Sequence, residues 1–320
     1  MNLNRALGID IGGTTVKTGY VTPDGQLENQ TNFPTPQGPD AGEQLLQQLK
    51  VLCTEAEATA IGIGTPGLVD QNGRLLSTAE NITGWGPLDL QDILQRITSV
   101  PVRVLNDVSA ATYGEYRIGA GQGSDPMIML ALGTGLGGGI VINGDLVFGH
   151  NGLAGEFGMM VVEPHGRVAT GLPGSLESYA SATGIVTSAK ELAPDFDTPL
   201  AKLILGGSAG SAGSGQSITA RMIYEYRADG DKLAVAVHEK TCDMLARGLG
   251  GIIAAIAPQA VILGGGVMRS GTAILSGLEQ RLGDYTYGPM LAQTMFRAAS
   301  SDHAGIIGGA LYASDKKTAS

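Results

Sequence analysis

Asp10-Ile11-Gly12-Gly13-Thr14, with Lys17 three residues on, is a set of residue types that can hold a phosphate. Two successive glycines let the backbone approach a ligand and turn N–H groups toward an anion, while Thr14 and Lys17 add donors. Asp10 is of the right type to hold a hydrated Mg²⁺. Read alone, Gly12-Gly13 serves equally well as a plain turn in a sheet. A second stretch has the same form: Leu130–Ile142 reads LALGTGLGGGIVI, an apolar run broken by Gly133-Thr134-Gly135 and followed by another apolar run. Two such stretches in one chain suggest two similar halves facing each other across a nucleotide. Asn106-Asp107 stands between an apolar run and a helical pattern, where either residue can cap the helix.

The elements that must position these residues follow from periodicity. Ala6–Ile11 and Thr15–Val21 read as a β-hairpin, not as the strand–turn–helix of a dinucleotide fold. Asp24-Gly25 is a turn signal and Gln26–Phe33 a third, edge-like strand. After a loop with Pro34, Pro36 and Pro39, Asp40 is placed to cap a helix with Leu45, Leu46, Leu49, Leu52 and Cys53 on one face. Ala60–Gly64 reads as a strand ending in Thr65-Pro66-Gly67. Asp89–Ile97 is a short helix, Val100–Leu105 a strand, and a helix runs on through Tyr116. From Met127 the order begins again, with a third strand near Leu146–Phe148. A long helix over about Leu233–Ile256 precedes a strand, Ala260–Leu263, that ends in Gly264-Gly265-Gly266. Ala304–Ala313 is a terminal helix of small residues. Gly206–Gln216 is a low-complexity Gly/Ser/Ala stretch, read as a flexible surface loop without chemistry.

With 320 residues the chain has room for two domains, and 43% hydrophobic against 16% charged residues describes a substantial core. A formal net charge of −10 argues against nucleic acid as a partner, though it leaves ATP open, because local N–H groups, a Lys and Mg²⁺ can outweigh global charge. Cys53 and Cys242, far apart in apolar helical patterns, read as reduced core residues. The N-terminal residues carry no signal-peptide block, and Leu249–Ala257, between Arg247 and Pro258, is too short to span a bilayer. A soluble cytoplasmic protein, with no membrane partner, is expected.

Gly8–Lys17, Thr65-Pro66-Gly67, Asn106-Asp107, Leu132–Gly139, Gly155-Glu156-Phe157-Gly158 and Leu263–Val267 occur in the order seen in ROK-family sugar kinases, and the resemblance spans essentially the whole chain. It implies the actin-like, ribonuclease-H-like fold, two α/β domains around a central cleft. The boundaries expected are residues 1–118 for a small domain, completed by a C-terminal helix at about 304–316, and 119–303 for a large one. In the resembling kinases the Asp matching Asp107 accepts the proton of the sugar hydroxyl that attacks the γ-phosphate; at a helix N-terminus this carboxylate is expected to ionise easily. The resemblance places the sugar against Asn106, Asp107, Glu156 and Glu177, with Gly67 and Asn81 as further candidates. ATP is expected on Asp10, Gly12, Gly13, Thr14 and Lys17 from one domain and Gly133 and Thr134 from the other. Gly264, Gly265 and Gly266 would lie near the adenosine.

One departure stands out. Many ROK proteins carry a His and three Cys that bind a structural Zn²⁺, whereas this chain has Met159 at the His position and Val168, Thr170 and Ser175 at the Cys positions. No zinc is expected. His165 is nearby, but a lone His is no metal site. Because the family's His also contacts the sugar, Met159 leaves the choice of hexose open. The resemblance implies an ATP- and Mg²⁺-dependent hexose kinase, foremost a glucokinase. An N-acetylhexosamine kinase or fructokinase is the alternative within the family. From another class the alternatives are a non-catalytic sugar sensor and a sugar-responsive transcriptional regulator. A homodimer is a further option that family resemblance brings.

Overall fold

The computed structural model describes residues 4–169, 171–206, 217–270 and 273–316. Its elements follow in the order β1 (Ala6–Ile11), β2 (Thr15–Val21), β3 (Leu27–Pro34), α1 (Ala41–Glu55), β4 (Ile61–Thr65), α2 (Leu90–Gln95), β5 (Val102–Asn106) and α3 (Asp107–Ile118). Then come β6 (Met127–Leu132), β7 (Leu136–Ile142), β8 (Asp145–Leu146), α4 (Glu177–Ala180), α5 (Ala182–Leu192), α6 (Pro199–Gly206), α7 (Ala220–Ala228) and α8 (Lys232–Ile256). The described chain closes with β9 (Ala260–Gly264), α9 (Ala273–Glu279), α10 (Leu282–Tyr285), α11 (Gly288–Leu291), β10 (Met295–Ala298) and α12 (Ala304–Asp315).

Two five-stranded sheets result. The first has the order β3-β2-β1-β4-β5, with β1 antiparallel to β2 and parallel to β4. The second, read as β8-β7-β6-β9-β10, repeats that order strand for strand. The duplication expected from the two glycine-broken stretches is thus present at the level of strand order. The chain divides into two compact units, Met1–Ile128 with Gly139–Gly155 and Ala299–Ser320, and Met129–Gly138 with Glu156–Ala298.

In the first unit, α1 lays Leu45, Leu49 and Cys53 on a core that includes Ile9, Ile11, Ile61, Ile63 and the single tryptophan, Trp85. Trp85 is fully buried, and its indole N–H donates to Thr65 Oγ1 at 2.9 Å, so the one polar atom of the ring is satisfied. The terminal helix α12 packs against α3, β1 and β4 through small residues. A Cβ at Gly308 would run into the carbonyl of Ala110, and one at Gly62 into the carbonyl of Gly309, so these backbones touch directly. Glu115 of α3 is fully buried, and its carboxylate accepts from the N–H groups of Ser300 (2.9 Å), Ser301 (3.0 Å) and Ala120 (2.7 Å) and from the Ser300 hydroxyl. A buried charge is tolerable when it is hydrogen-bonded on this scale.

In the second unit the 25-residue α8 buries a face that runs from Leu233 to Ile253. It stops where Ala257 adopts a left-handed conformation ahead of Pro258, a residue that cannot continue a helix. Both cysteines are buried and unpaired, and burial pushes each thiol up to about 12. Among the described residues no helix is long and apolar enough to cross a membrane.

Several local expectations are corrected. Asp40 precedes α1 without capping it through its side chain, and Gly42 N–H donates instead to the carbonyl of Thr83. The strand expected near Leu146–Phe148 is the two-residue β8. Edge strand β10 and helices α5 to α7 and α9 to α11 go beyond the elements expected from the sequence; β10, α10 and α11 have only four residues each. Residues 207–216 of the Gly/Ser stretch lie outside the described residues, as does Thr170.

Candidate functional site

The first glycine turn is built from its carbonyls. Gly12 N–H donates to the carbonyl of Thr15 at 3.1 Å, closing the turn between β1 and β2. Thr35 then engages the turn twice, its hydroxyl donating to Gly12 O (2.6 Å) and its N–H to Thr14 O (3.0 Å), while Gln37 Nε2 donates to Gly13 O (3.3 Å). The turn's acceptors are committed to Thr35 and Gln37, and the N–H groups of Gly13 and Thr14 enter none of these bonds. That is the arrangement an anion needs. Lys17 pairs with Asp10 in the β1–β2 register, and its charge draws the Asp10 pKa down against the larger effect of burial, which raises it.

Asp10 and Asp107 are brought together by parallel strands. Gly64 of β4 pairs with Asp10, and a Cβ there would lie 3.8 Å from Asp10 Oδ1 and 3.5 Å from Asp107 Cα. Glycine thus leaves open the space beside both acids. Asp107 begins α3, where its Oδ1 accepts from Val108 N–H and from Asn106 Nδ2, both at 2.9 Å. Those bonds favour the carboxylate, but burial and the neighbouring Asp10 charge outweigh them and lift the pKa from 3.8 to about 6. The expectation of an easily ionised Asp107 is corrected by this: desolvation wins over the helix N-terminus.

Asn106 caps α3, its Oδ1 accepting from Val108 (2.9 Å) and Ser109 (3.2 Å). Its Nδ2 donates to Asp107 and to the carbonyl of Gly67 at 3.0 Å. Both amide hydrogens and both lone pairs of Asn106 are therefore in use. A sugar contact requires it to release one of them. Gly67 sits at φ +97°, a region that suits glycine. Asn81 packs on the first glycine turn, its Cβ lying 2.9 Å from where a Cβ on Gly13 would be.

The second unit repeats the turn with different partners. Gly133 N–H donates to Gly135 O at 2.9 Å. Gly133 O accepts from Ala182 N–H (2.8 Å), and Thr134 O accepts from the Thr183 hydroxyl (3.0 Å). Again a threonine hydroxyl holds a turn carbonyl back. Glu177 at the start of α4 joins the same turn, its Oε2 accepting from Leu136 N–H at 2.7 Å. Glu156 feels the Glu177 charge, and burial together with that charge raises its pKa. Two of the expected sugar carboxylates are thus near neighbours. Gly264 ends β9, and Gly265 follows at φ +88°; a Cβ there would press on the backbone of Leu132, 2.5 Å from its oxygen. The third glycine turn leans on the start of the second.

Among the described residues, no group of three or more His, Cys, Asp and Glu is placed to hold a metal ion. Ser175, at one of the former cysteine positions, is buried with its hydroxyl 2.7 Å from that of Ser178. Thr35, Ala182 and Thr183 escaped the sequence reading. A threonine in a proline-rich loop has no periodic signal, and the other two act through segments distant in sequence.

The chain as a whole is similar to known proteins. The model of the ROK family matches residues 6–316. A glucokinase of Thermotoga maritima is 33% identical over 313 residues, covering 96% of either chain. An N-acetylmannosamine kinase of Escherichia coli is 32% identical over 264 residues, 82% of either chain. A crystal structure of a ROK family glucokinase from Streptomyces griseus, in complex with glucose and AMPPNP, superposes with a TM-score of 0.78 at 32% identity, covering 97% of this chain and 99% of that one.

Proposed function

This chain belongs to the ROK family and has its actin-like fold, and from that premise we propose that it is an ATP-dependent hexose kinase, a glucokinase that forms glucose 6-phosphate. The observation that supports this best is the Asp10–Asp107 pair, in which a desolvated carboxylate with a pKa of about 6 stands at a rigid strand–helix junction. A general base works best when its pKa lies close to the operating pH. Asp107 would take the proton of the attacking sugar hydroxyl as that oxygen bonds to the γ-phosphorus and ADP leaves. Phosphoryl transfer asks chiefly for positioning and charge neutralisation, which this site would meet with one modest base.

Asp10 would hold a hydrated Mg²⁺. The fit rests on an oxygen-only donor of high charge density, crowded by a second acid and backed by Gly305, where a Cβ would come within 3.0 Å of the Asp10 carboxyl carbon. Such an ion would screen the phosphate charge. The two glycine turns would bind phosphates through backbone N–H groups, with Lys17 and Thr14 as added donors. Asn106 orients Asp107 and Gly67 in this reading, while Glu156 and Glu177 receive the sugar hydroxyls.

The function is tested by ADP release from Mg·ATP with glucose, mannose, fructose, N-acetylglucosamine and N-acetylmannosamine. A preference for glucose is expected. A preference for N-acetylmannosamine would favour the second reading, for which the similarity to the E. coli enzyme speaks. No sugar-dependent release would end the kinase proposal. Within it, Glu156→Gln is expected to raise the sugar KM by roughly 10–100-fold, the worth of a hydrogen bond to a charged group. Unchanged kinetics would remove Glu156 from the sugar site.

A further inference from the structure

The segment between Glu156 and Glu177 folds back on itself with little regular structure. Short bridges pair Val161 with Ser175 and Val168 with Pro173. Gly174, at φ +65°, donates its N–H to Arg167 O (2.8 Å) and accepts from Val162 N–H (2.9 Å). This turn holds the Arg167 backbone, and the Arg167 side chain then reaches out of the segment.

The Arg167 guanidinium grips both α4 and α5. Nε donates to Ser178 O at 2.8 Å, one terminal nitrogen to Gly184 O (3.1 Å) and Ser188 Oγ (2.6 Å), and the other to Glu191 at 2.7 Å. Its carbon lies 4.4 Å from the centre of the Tyr179 ring, and the side chain is only 14% exposed. A planar fork with several rigid donors suits this; an ammonium does not. The junction it grips is the one that holds the second glycine turn, through Ala182 N–H on Gly133 O, Thr183 on Thr134 O and Glu177 on Leu136 N–H.

We propose that Arg167 is a positioning residue for substrate binding: without touching substrate, it fixes the α4–α5 junction, and with it Glu177 and the Gly133–Leu136 turn. The inference rests on the kinase reading for its kinetic consequence, but its structural core is independent of it. Its bonds are charge-assisted and so stronger than neutral ones; those to Ser178 O, Gly184 O and Ser188 Oγ are part-buried, while the one to Glu191 is exposed.

The test uses the full chain with Arg167→Ala and Arg167→Lys. Arg167→Ala is expected to raise the sugar KM about tenfold with kcat within about threefold, since a misplaced Glu177 weakens ground-state and transition-state binding alike. Ethylguanidinium in the buffer should lower that KM again, and Arg167→Lys should fall between. A variant with fewer active molecules but unchanged KM, or no rescue by ethylguanidinium, would make the role merely structural and overturn the proposal. Should Arg167→Ala fail to fold, Ser188→Ala removes a single partner, and an unchanged KM in both it and Arg167→Lys would likewise overturn it. Amide exchange at Leu136 provides a readout without turnover. Protection there should fall about tenfold in Arg167→Lys, and equal protection would sink the proposal even if no sugar proved to be a substrate.

Discussion

Asp107→Asn is expected to lower kcat by about 10²–10⁴-fold, the range seen when a general base is removed, while the Kd for ATP changes little. The same substitution should make the ligand-free protein more stable at neutral pH. Burial and Asp10 raise the Asp107 pKa from 3.8 to about 6, so the folded state binds its proton more tightly than the unfolded state does. From about pH 4 to pH 6 the stability contributed by this group therefore falls as pH rises, and above about 6 the loss is complete. A displacement of that size corresponds to on the order of 3 kcal/mol, which a neutral asparagine would largely relieve. Thermal melts at pH 7.5 and pH 4 separate the two effects: the variant should gain over the parent at pH 7.5 and lose that advantage at pH 4. For the parent, kcat/KM should drop below about pH 6, where Asp107 is protonated. Retained turnover in the variant, or an equal stability difference at both pH values, would contradict this account.

The second large effect is expected at the contact between α12 and α3. Gly308→Ala puts a methyl group into the carbonyl of Ala110, where α12 and α3 meet backbone to backbone. Neither helix can yield, because α12 is also pressed on β4 through Gly309 and Gly62. Overpacking of this kind costs about 1–3 kcal/mol or more, and here the obstacle is main chain, not a flexible side chain. The variant should melt several degrees lower or accumulate as insoluble protein. Gly283→Ala, at a helical glycine with open space around it, is the matched control and should melt with the parent. Equal melting of Gly308→Ala and the parent would show that the helices can separate cheaply.

Much of the site could be read from the chain because it is local. Asp10 to Lys17 and Leu130 to Ile142 each announce a hairpin with a glycine turn inside a dozen residues, and both form. Asn106 could be read as a cap for the same reason. The ionisation of Asp107 could not, since its pKa is raised first by burial in the folded chain and then by Asp10, a residue nearly a hundred positions away that parallel strand pairing brings alongside. Glu177 is reached in the sequence only through the resemblance, and nothing local shows that one of its oxygens is given to Leu136, a partner on the β6–β7 hairpin. Short elements were lost for another reason. Met295–Ala298 has four residues and no alternation of burial, so the strand exists because β9 offers it an edge.

The construction of the first unit has a consequence for biosynthesis. Its sheet, α1, α3 and the buried carboxylate of Glu115 are all made early, but α12 and the Ser300–Ser301 partners of Glu115 come about 150 residues after Gly155. At a translation rate of about 5–20 residues per second, that is a delay of roughly 7–30 s. Throughout it the faces of β1, β4 and α3 lack the cover that α12 gives them, and Glu115 lacks its Ser300 and Ser301 partners. Vectorial synthesis from the N-terminus therefore cannot mature this unit first, and a nascent chain stalled before α12 emerges would present those bare faces to chaperones.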